Sequence, residues 1–367
     1  MRPTAAAISV STQFENVGDA WILRELIRLA ATRVPLWVDV TRCPPAFVAN
    51  LGLDSLPSVT TVPGLGRLVS RVLRHRRRGG RTAWFLGPGG YHGERSGSDL
   101  AKAWVATGVL ASLRMAGAHI CQVGASYERL GPGHRGLLVA RGRLLHSHLV
   151  RDEASAVYAR SLGIRVHGVA ADLAFADPTW SSAVSPDAAT VALVFRSDQH
   201  ATQPAEVTDF SFRLARAAPW VRRWRAIAQV ERDRATASAV ADAVSATGSE
   251  AEVALVDHAL AAARDAYRGC SHVIGNRLHG LLLGASAGAA PVPVVDTERQ
   301  AKIVGAFAVL PDGPKVIASD SPDAVERAVA ALRDDHPHPL DPKPAREALE
   351  AAFDRLLGAP TNGVLDA

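Results

Sequence analysis

Short β-branched runs alternate with longer segments of helical periodicity through most of this chain. That rhythm admits few folds, and parallel strands joined by crossover helices satisfy it best. Residues 5–10, 36–41, 82–86 and 119–123 read as strands, each ending in polar or Gly-rich residues. Residues 19–32 and 99–116 read as helices, the first with Trp21, Ile22, Leu26 and Leu29 near one face. A strand ends at 148–151, a helix with an acidic first turn follows, and 165–169 gives another strand. The stretch 177–188, with two prolines and several Ser and Asp, reads as a linker. Beyond it the alternation resumes, with strands at 191–195, 226–229, 253–256, 271–274 and 292–295 and helices at 208–218, 232–247, 258–268, 281–287 and 322–332. The fold class is therefore α/β, with expected domains at 1–178 and 188–335. Residues 336–367 form a C-terminal helix and tail, the helix at 345–357 expected to pack back across the domain junction.

At 367 residues the chain exceeds what one core usually fills, which also argues for two domains. Apolar residues at 48% and charged residues at 21% exclude a disordered chain. Cys43, Cys121 and Cys270 form no CxxC pair and suit a reducing compartment. The N-terminal residues read as no signal peptide, and no apolar run is long enough to span a bilayer, so a cytoplasmic protein is expected. The formal charge of +5 is modest but uneven: Arg74, His75, Arg76, Arg77, Arg78 and Arg81 form a basic run, with Arg67 and Arg71 upstream. Such a run is either a solvated loop after an amphipathic helix or a contact for anionic lipid headgroups or a diphosphate-linked acceptor. No aromatics interleave with the arginines for base stacking, so nucleic acid is not expected.

Four clusters fall where strands should end. The first, Asn16-Val17-Gly18-Asp19, precedes a helix; it is either a cap or a place where N–H groups hold an anion and Asp19 orients a hydroxyl. The second, Gly87-Pro88-Gly89-Gly90-Tyr91-His92-Gly93, is a turn whose glycines let backbone approach a ligand closely. It fits neither the phosphate loop of ATPases nor the dinucleotide fingerprint. The third, Arg151-Asp152-Glu153-Ala154-Ser155, sets a guanidinium fork beside a helix start, or simply pairs Arg151 with a surface carboxylate. The fourth, Asn276-Arg277-Leu278-His279-Gly280, adds an imidazole to a second arginine. In an extended stretch Arg277 and His279 would share one face. The pairs His146/His148 and His336/His338 read as surface, and no spacing suggests a metal site.

Taken in order, these clusters, together with Gly124-Ala125-Ser126, Leu162-Gly163-Ile164, Asp172 and Lys302, resemble the polysaccharide pyruvyl transferases across roughly residues 8–310. The Gly-Pro-Gly-Gly turn departs from the consecutive glycines common in that family, and residues 198–221 show no family pattern. The resemblance implies two Rossmann-like domains facing across a cleft, a glycosyltransferase-B-like architecture, with the donor between them. It implies transfer of the pyruvyl group of phosphoenolpyruvate to sugar hydroxyls as a ketal, with no cofactor beyond that donor. Arg151 and Arg277 would bind the donor's phosphate and carboxylate, His279 would be the acid or base nearest the enol, and Asp19 the base for the acceptor. Lys302 would neutralise departing phosphate, with Asn16, Gly89, Gly90 and Leu278 lining the substrate.

The implied partners are phosphoenolpyruvate and a sugar, glycan or lipid-linked saccharide, with peripheral membrane contact through Arg74 to Arg81 and a homo-oligomer left open. A nucleotide-sugar glycosyltransferase of the same architecture, or a non-catalytic relative, is the alternative. The high Ala and Arg content suits a GC-rich bacterial genome.

Overall fold

The computed structural model describes residues 2–91, 97–127, 130–180, 190–197, 203–256, 259–333 and 340–359. His92, Gly93, His258, His336, His338 and residues 181–188 of the expected linker lie outside the described residues. The chain divides into two compact units, one of Met1–Phe14, Asp19–Ala176 and Lys343–Ala367, the other of Glu15–Gly18 and Asp177–Pro342.

The first unit runs β1 (Ala5–Ser9), α1 (Val17–Ala31), β2 (Leu36–Asp39), α2 (Pro45–Leu51), β3 (Val59–Thr61), α3 (Leu65–Arg77), β4 (Thr82–Leu86), β5 (Gly89–Tyr91), α4 (Gly97–Met115), β6 (His119–Tyr127), α5 (Pro132–Gly142), β7 (Leu145–Val150), α6 (Glu153–Ser161) and β8 (Gly168–Val169). Its strands pair in parallel in the order β3-β2-β1-β4-β6-β7-β8, with β5 beside β6. One core cluster gathers Trp37, Leu68, Val72, Trp84, Leu110 and Leu113, and a second lies under α5 and α6 around Tyr127, Leu138 and Ile164. Each such large apolar side chain contributes roughly 1.5–3 kcal/mol by leaving water. The basic run is helical rather than a loop. Arg74 to Arg77 form the last turn of α3, where cations oppose the negative end of the helix dipole.

The second unit runs β9 (Thr190–Val194), α7 (Pro204–Ala217), β10 (Arg223–Ala228), α8 (Arg234–Ser245), β11 (Glu250–Leu255), α9 (Leu260–Asp265), β12 (Cys270–Gly275), α10 (Leu278–Ser286), β13 (Ala290–Val295), α11 (Ala301–Ala308), β14 (Ile317–Ala318) and α12 (Ala324–Leu332). Its sheet is also parallel, in the order β11-β10-β9-β12-β13-β14. The small-residue helix α10 packs close to the sheet: a Cβ added at Gly280 would lie 2.5 Å from Val194 Cγ2, and one at Gly284 2.5 Å from Val273 Cγ1.

Two expected boundaries change. Asp177, the first residue of the expected linker, is fully buried and accepts from Arg264 and from the Thr179 hydroxyl, so residues 177–180 are anchored in the second unit. The last helix, α13 (Lys343–Leu357), is part of the first unit rather than a segment of its own. Phe353 stacks on Phe85 with centroids 5.8 Å apart, and buried Arg33 donates to Asp354 (2.8 Å) and to the Glu350 carbonyl (3.0 Å). Burying Arg33 and Phe85 requires this cover.

Candidate functional site

In an open parallel sheet, ligands settle beyond the carboxyl ends of the strands where the strand order reverses, because two loops there diverge and leave a crevice. The second unit reverses between β9 and β12, the first between β1 and β4. The fourth sequence cluster follows β12, and the first two follow β1 and β4, so three of the four clusters sit at a reversal point.

At the reversal in the second unit, β12 and β9 end so close together that a Cβ on Gly275 would lie 1.9 Å from the Val194 carbonyl oxygen. Asn276, fully buried, then locks the loop after β9: its Oδ1 accepts from Arg196 N (2.7 Å) and its Nδ2 donates to Arg196 O (3.1 Å). Gln300 donates to the Asn276 carbonyl (3.2 Å), tying in the segment that carries Lys302 in the first turn of α11. Arg277 has extended backbone (φ −114°, ψ 107°) and is the N-cap of α10. The extended-stretch expectation for Arg277 and His279 is thereby corrected. The helix starts at Leu278, so His279 lies in its first turn and the two-residue alternation does not apply. Leu278 is buried, which confines its contribution to its backbone, one of the first-turn N–H groups that a helix cannot satisfy itself.

The Arg277 guanidinium is 6% exposed and is held by Gln229 Oε1 (2.5 Å from Nε) and by the Asp233 carboxylate (2.6 and 2.8 Å from Nη1). A buried cation needs such a partner. Gln229 and Asp233, which follow β10, were not singled out in the sequence; the rule that residues just after a strand line the crevice would have pointed to them. Tyr267, fully buried near Arg277 and Asp233, has its hydroxyl pushed well above the usual phenol range by burial. His279 is half-buried and packs on the backbone of Gly18, where an added Cβ would fall 2.3 Å from its Nδ1. Asn16 Oδ1 accepts from Gly18 N (3.1 Å), a short turn that holds this backbone in place.

In the first unit a pocket at the β1/β4 reversal is lined by Val10, Ser11, Thr12, Asp19, Gly87 and Pro88 among others. Asp19 accepts from Thr12 Oγ1 (2.7 Å), and Gln122 donates to Gly87 O (2.9 Å). Gly89 and Gly90, expected in a turn, form β5 and pair with Ala125 and Ser126 of β6, with Gly89 at φ 111°, where glycine is favoured.

The third cluster knits the first unit together. Asp152 caps α6 by accepting from Ser155 N (2.7 Å), and it also accepts from Ser126 Oγ (2.7 Å); Ser155 Oγ accepts from Tyr127 N (2.9 Å). Arg151 is not paired with Asp152 or Glu153. It donates to Ser126 Oγ (3.0 Å) and to Asp172 (2.7 Å), with both ion-pair partners almost completely buried.

The histidine pair read as surface is part of the sheet. His148 is fully buried on β7, with Tyr127 Oη donating to Nε2 (2.7 Å) and Nδ1 facing Arg165 O (3.1 Å). His146 stacks on His119 with centroids 4.4 Å apart and accepts from Ile120 N (3.1 Å). Strand β7 lies between β6 and β8, so both its edges are paired. Burial, aided by Arg114, pushes His146 down to about 4, and burial first also lowers His119, His148 and His167. Between those values and 6.5 the unfolded chain binds more protons, so this contribution to stability is complete above pH 6.5 and is lost as pH falls toward 4. The melting temperature is expected to fall steadily from pH 7 to pH 4.5, and less steeply in His146→Gln. A flat profile would show that these rings are solvated.

Burial first pushes the thiols of Cys43, Cys121 and Cys270 up to about 11, 12 and 11, which argues against a cysteine nucleophile. Among the described residues no group of three or more His, Cys, Asp or Glu is placed to hold a metal ion, and no helix is long and apolar enough to cross a membrane.

The sequence model of the polysaccharide pyruvyl transferase family matches residues 120–296. The matched region contains Arg151, Arg277, Leu278 and His279 and stops short of Asn16, Asp19, Gly89, Gly90 and Lys302. A search of curated proteins gave no match. Solved structures are similar over nearly the whole chain. UDP-GlcNAc 2-epimerase from Neisseria meningitidis bound to UDP-GlcNAc aligns with TM-score 0.55 at 10% identity, over 96% of this chain and 99% of its own. The S. aureus MnaA-UDP structure aligns with TM-score 0.54 at 11% identity, over 98% of each chain. Apo UGT2 of Phytolacca americana aligns with TM-score 0.50 at 12% identity, over 98% of this chain and 96% of its own. At such identities the likeness is one of fold, and the fold is of the glycosyltransferase-B type.

Proposed function

We propose that this protein is a phosphoenolpyruvate-dependent pyruvyl transferase that builds a ketal on a sugar or glycan acceptor. The observation that carries the reading is Arg277-Leu278-His279, inside the family match and at the strand-order reversal of the second unit. The donor is a small polyanion. Its phosphate competes with Asp233 for the Arg277 guanidinium, and the first-turn N–H groups of α10 favour the same negative charge. His279 delivers a proton to the methylene carbon, leaving an electron-poor carbon that an acceptor hydroxyl attacks. The C–O bond to phosphate then breaks, a neighbouring hydroxyl closes the ketal, and phosphate departs near Lys302. One acceptor proton replaces the one His279 gave, and the second leaves with phosphate. Asp19, in the pocket of the first unit, is assigned as base for the acceptor hydroxyl. Arg151, which holds a standing contact with Asp172, is assigned to the donor's other anionic group.

The test is release of inorganic phosphate from phosphoenolpyruvate, dependent on a soluble or lipid-linked saccharide, with a mass gain on the acceptor equal to one pyruvyl ketal. Expected is acceptor-dependent phosphate release. Calorimetric binding of a nucleotide sugar with no response to phosphoenolpyruvate would instead favour a glycosyltransferase, and no reaction with any acceptor would favour a non-catalytic relative.

A further inference from the structure

The charge of this chain is divided unevenly. Residues 1–176 hold 22 Lys and Arg against 11 Asp and Glu, whereas residues 177–367 hold 19 against 25. The excess has a location: no acidic residue lies between Asp54 and Glu94, a stretch containing Arg67, Arg71, Arg74, Arg76, Arg77, Arg78 and Arg81. The first six of these are exposed, and among the described residues none of the six is ion-paired. Some exposed arginines elsewhere have carboxylate neighbours, as in Arg160–Glu153, Arg213–Asp209 and Arg223–Glu250, while others, Arg42, Arg135 and Arg222 among them, have none among the described residues; the α3 run differs in packing six such arginines into twelve residues.

Two ordinary explanations account for part of this run. The end of α3 favours cations through its dipole, which covers Arg74, Arg76 and Arg77 but not Arg67, about two to three turns earlier. Arg71 lies over the Trp37 ring at 5.1 Å, and His75 meets the same ring edge-on. What remains is a row. Arg67, Arg71, Arg74 and Arg78 are spaced four, three and four residues apart, one face of the helix over about 16 Å. Leu68 and Val72 take the opposite face into the core.

An exposed apolar residue stands near the last turn of α3. Met115, at the end of α4, is 83% exposed, and the turn just after it touches α3, since a Cβ added at Gly117 would lie 2.9 Å from Arg76 Nε. We infer that this face of the first unit docks on an anionic lipid bilayer, with the α3 arginines meeting headgroup phosphates and Met115 entering the interface. Arginine forks suit phosphate oxygens, and a helix without carboxylates adds no repulsion of its own as it approaches a negative surface. Nucleic acid fits less well: Trp37 and Trp84, the large aromatics packed under this helix, are buried and offer no base a platform. The inference is independent of the transfer reaction, because none of these residues is assigned to it.

Vesicle co-sedimentation of the full chain tests it. Binding is expected to phosphatidylcholine vesicles containing about 30% phosphatidylglycerol and not to pure phosphatidylcholine, and to be lost at about 0.5 M salt. The variant Arg67→Gln/Arg74→Gln/Arg77→Gln/Arg78→Gln, which spares Arg71 on Trp37, should bind at least about tenfold more weakly, with a melting temperature lowered by no more than a few degrees through the lost dipole contacts of Arg74 and Arg77. Met115→Glu, which leaves every arginine in place, should weaken binding as well. Equal sedimentation with both vesicle types, wild-type binding by the quadruple variant, or displacement from vesicles by a short DNA duplex at equal charge would each overturn the inference, the last in favour of nucleic acid.

Discussion

Replacing His279 with alanine is expected to lower pyruvyl transfer by about 10²–10⁴-fold, the usual range for losing a positioned proton donor. Donor affinity, which the proposed function gives to Arg277, should move by less than about threefold, and Arg277→Ala should show the reverse emphasis through a raised KM. A subtler variant separates position from chemistry. At Gly18 an added Cβ would fall 2.3 Å from His279 Nδ1 and 2.5 Å from its Cβ and Cγ, so Gly18→Ala must push the ring aside. Its kcat should fall while His279 is still present. Steady-state kinetics with phosphoenolpyruvate decide this: full turnover in His279→Ala removes the imidazole from the reaction, and full turnover in Gly18→Ala shows that its present placement is not the working one.

The sequence made the alternation of strands and helices legible because apolar periodicity is local. Strand β4 has the expected bounds, Thr82–Leu86, and most others shift by a few residues. The start of α10 was not legible for a local reason as well: Arg277 caps it without a side-chain hydrogen bond, and Gly280 sits in its first turn, so no capping signal marks it. What brings the helix down there is Gly280 and Gly284 seated against Val194 and Val273, a tertiary fit. The partners of the two arginines were hidden by distance along the chain, Gln229 and Asp233 lying 48 and 44 residues before Arg277. Asp172 was noticed only as part of a resemblance, and its contact with Arg151 appears once β7 and the turn at Leu173–Ala176 are in place. His146 and His148 misled because the polar alternation of Leu145-His146-Ser147-His148 looks like one wet face, whereas His148 is fully buried and His146 is half-buried against His119.

That contact supports the other large expected effect. The Arg151 and Asp172 side chains are 4% and 1% exposed, so Asp172→Ala would leave a cation buried with only the Ser126 hydroxyl for company. Removing one partner of a buried pair costs about 3–5 kcal/mol, and urea unfolding of Asp172→Ala should show a loss of that order. Replacing both charges by apolar residues, as in Arg151→Met/Asp172→Leu, should recover much of it, since no charge is then stranded. The double variant also distinguishes two roles for Arg151. If stability returns and transfer returns with it, the guanidinium serves to hold β7 against the turn that follows β8. If stability returns and the KM for phosphoenolpyruvate stays raised, the charge itself acts on the donor, and Asp172 is the group that keeps a buried cation tolerable until the donor arrives.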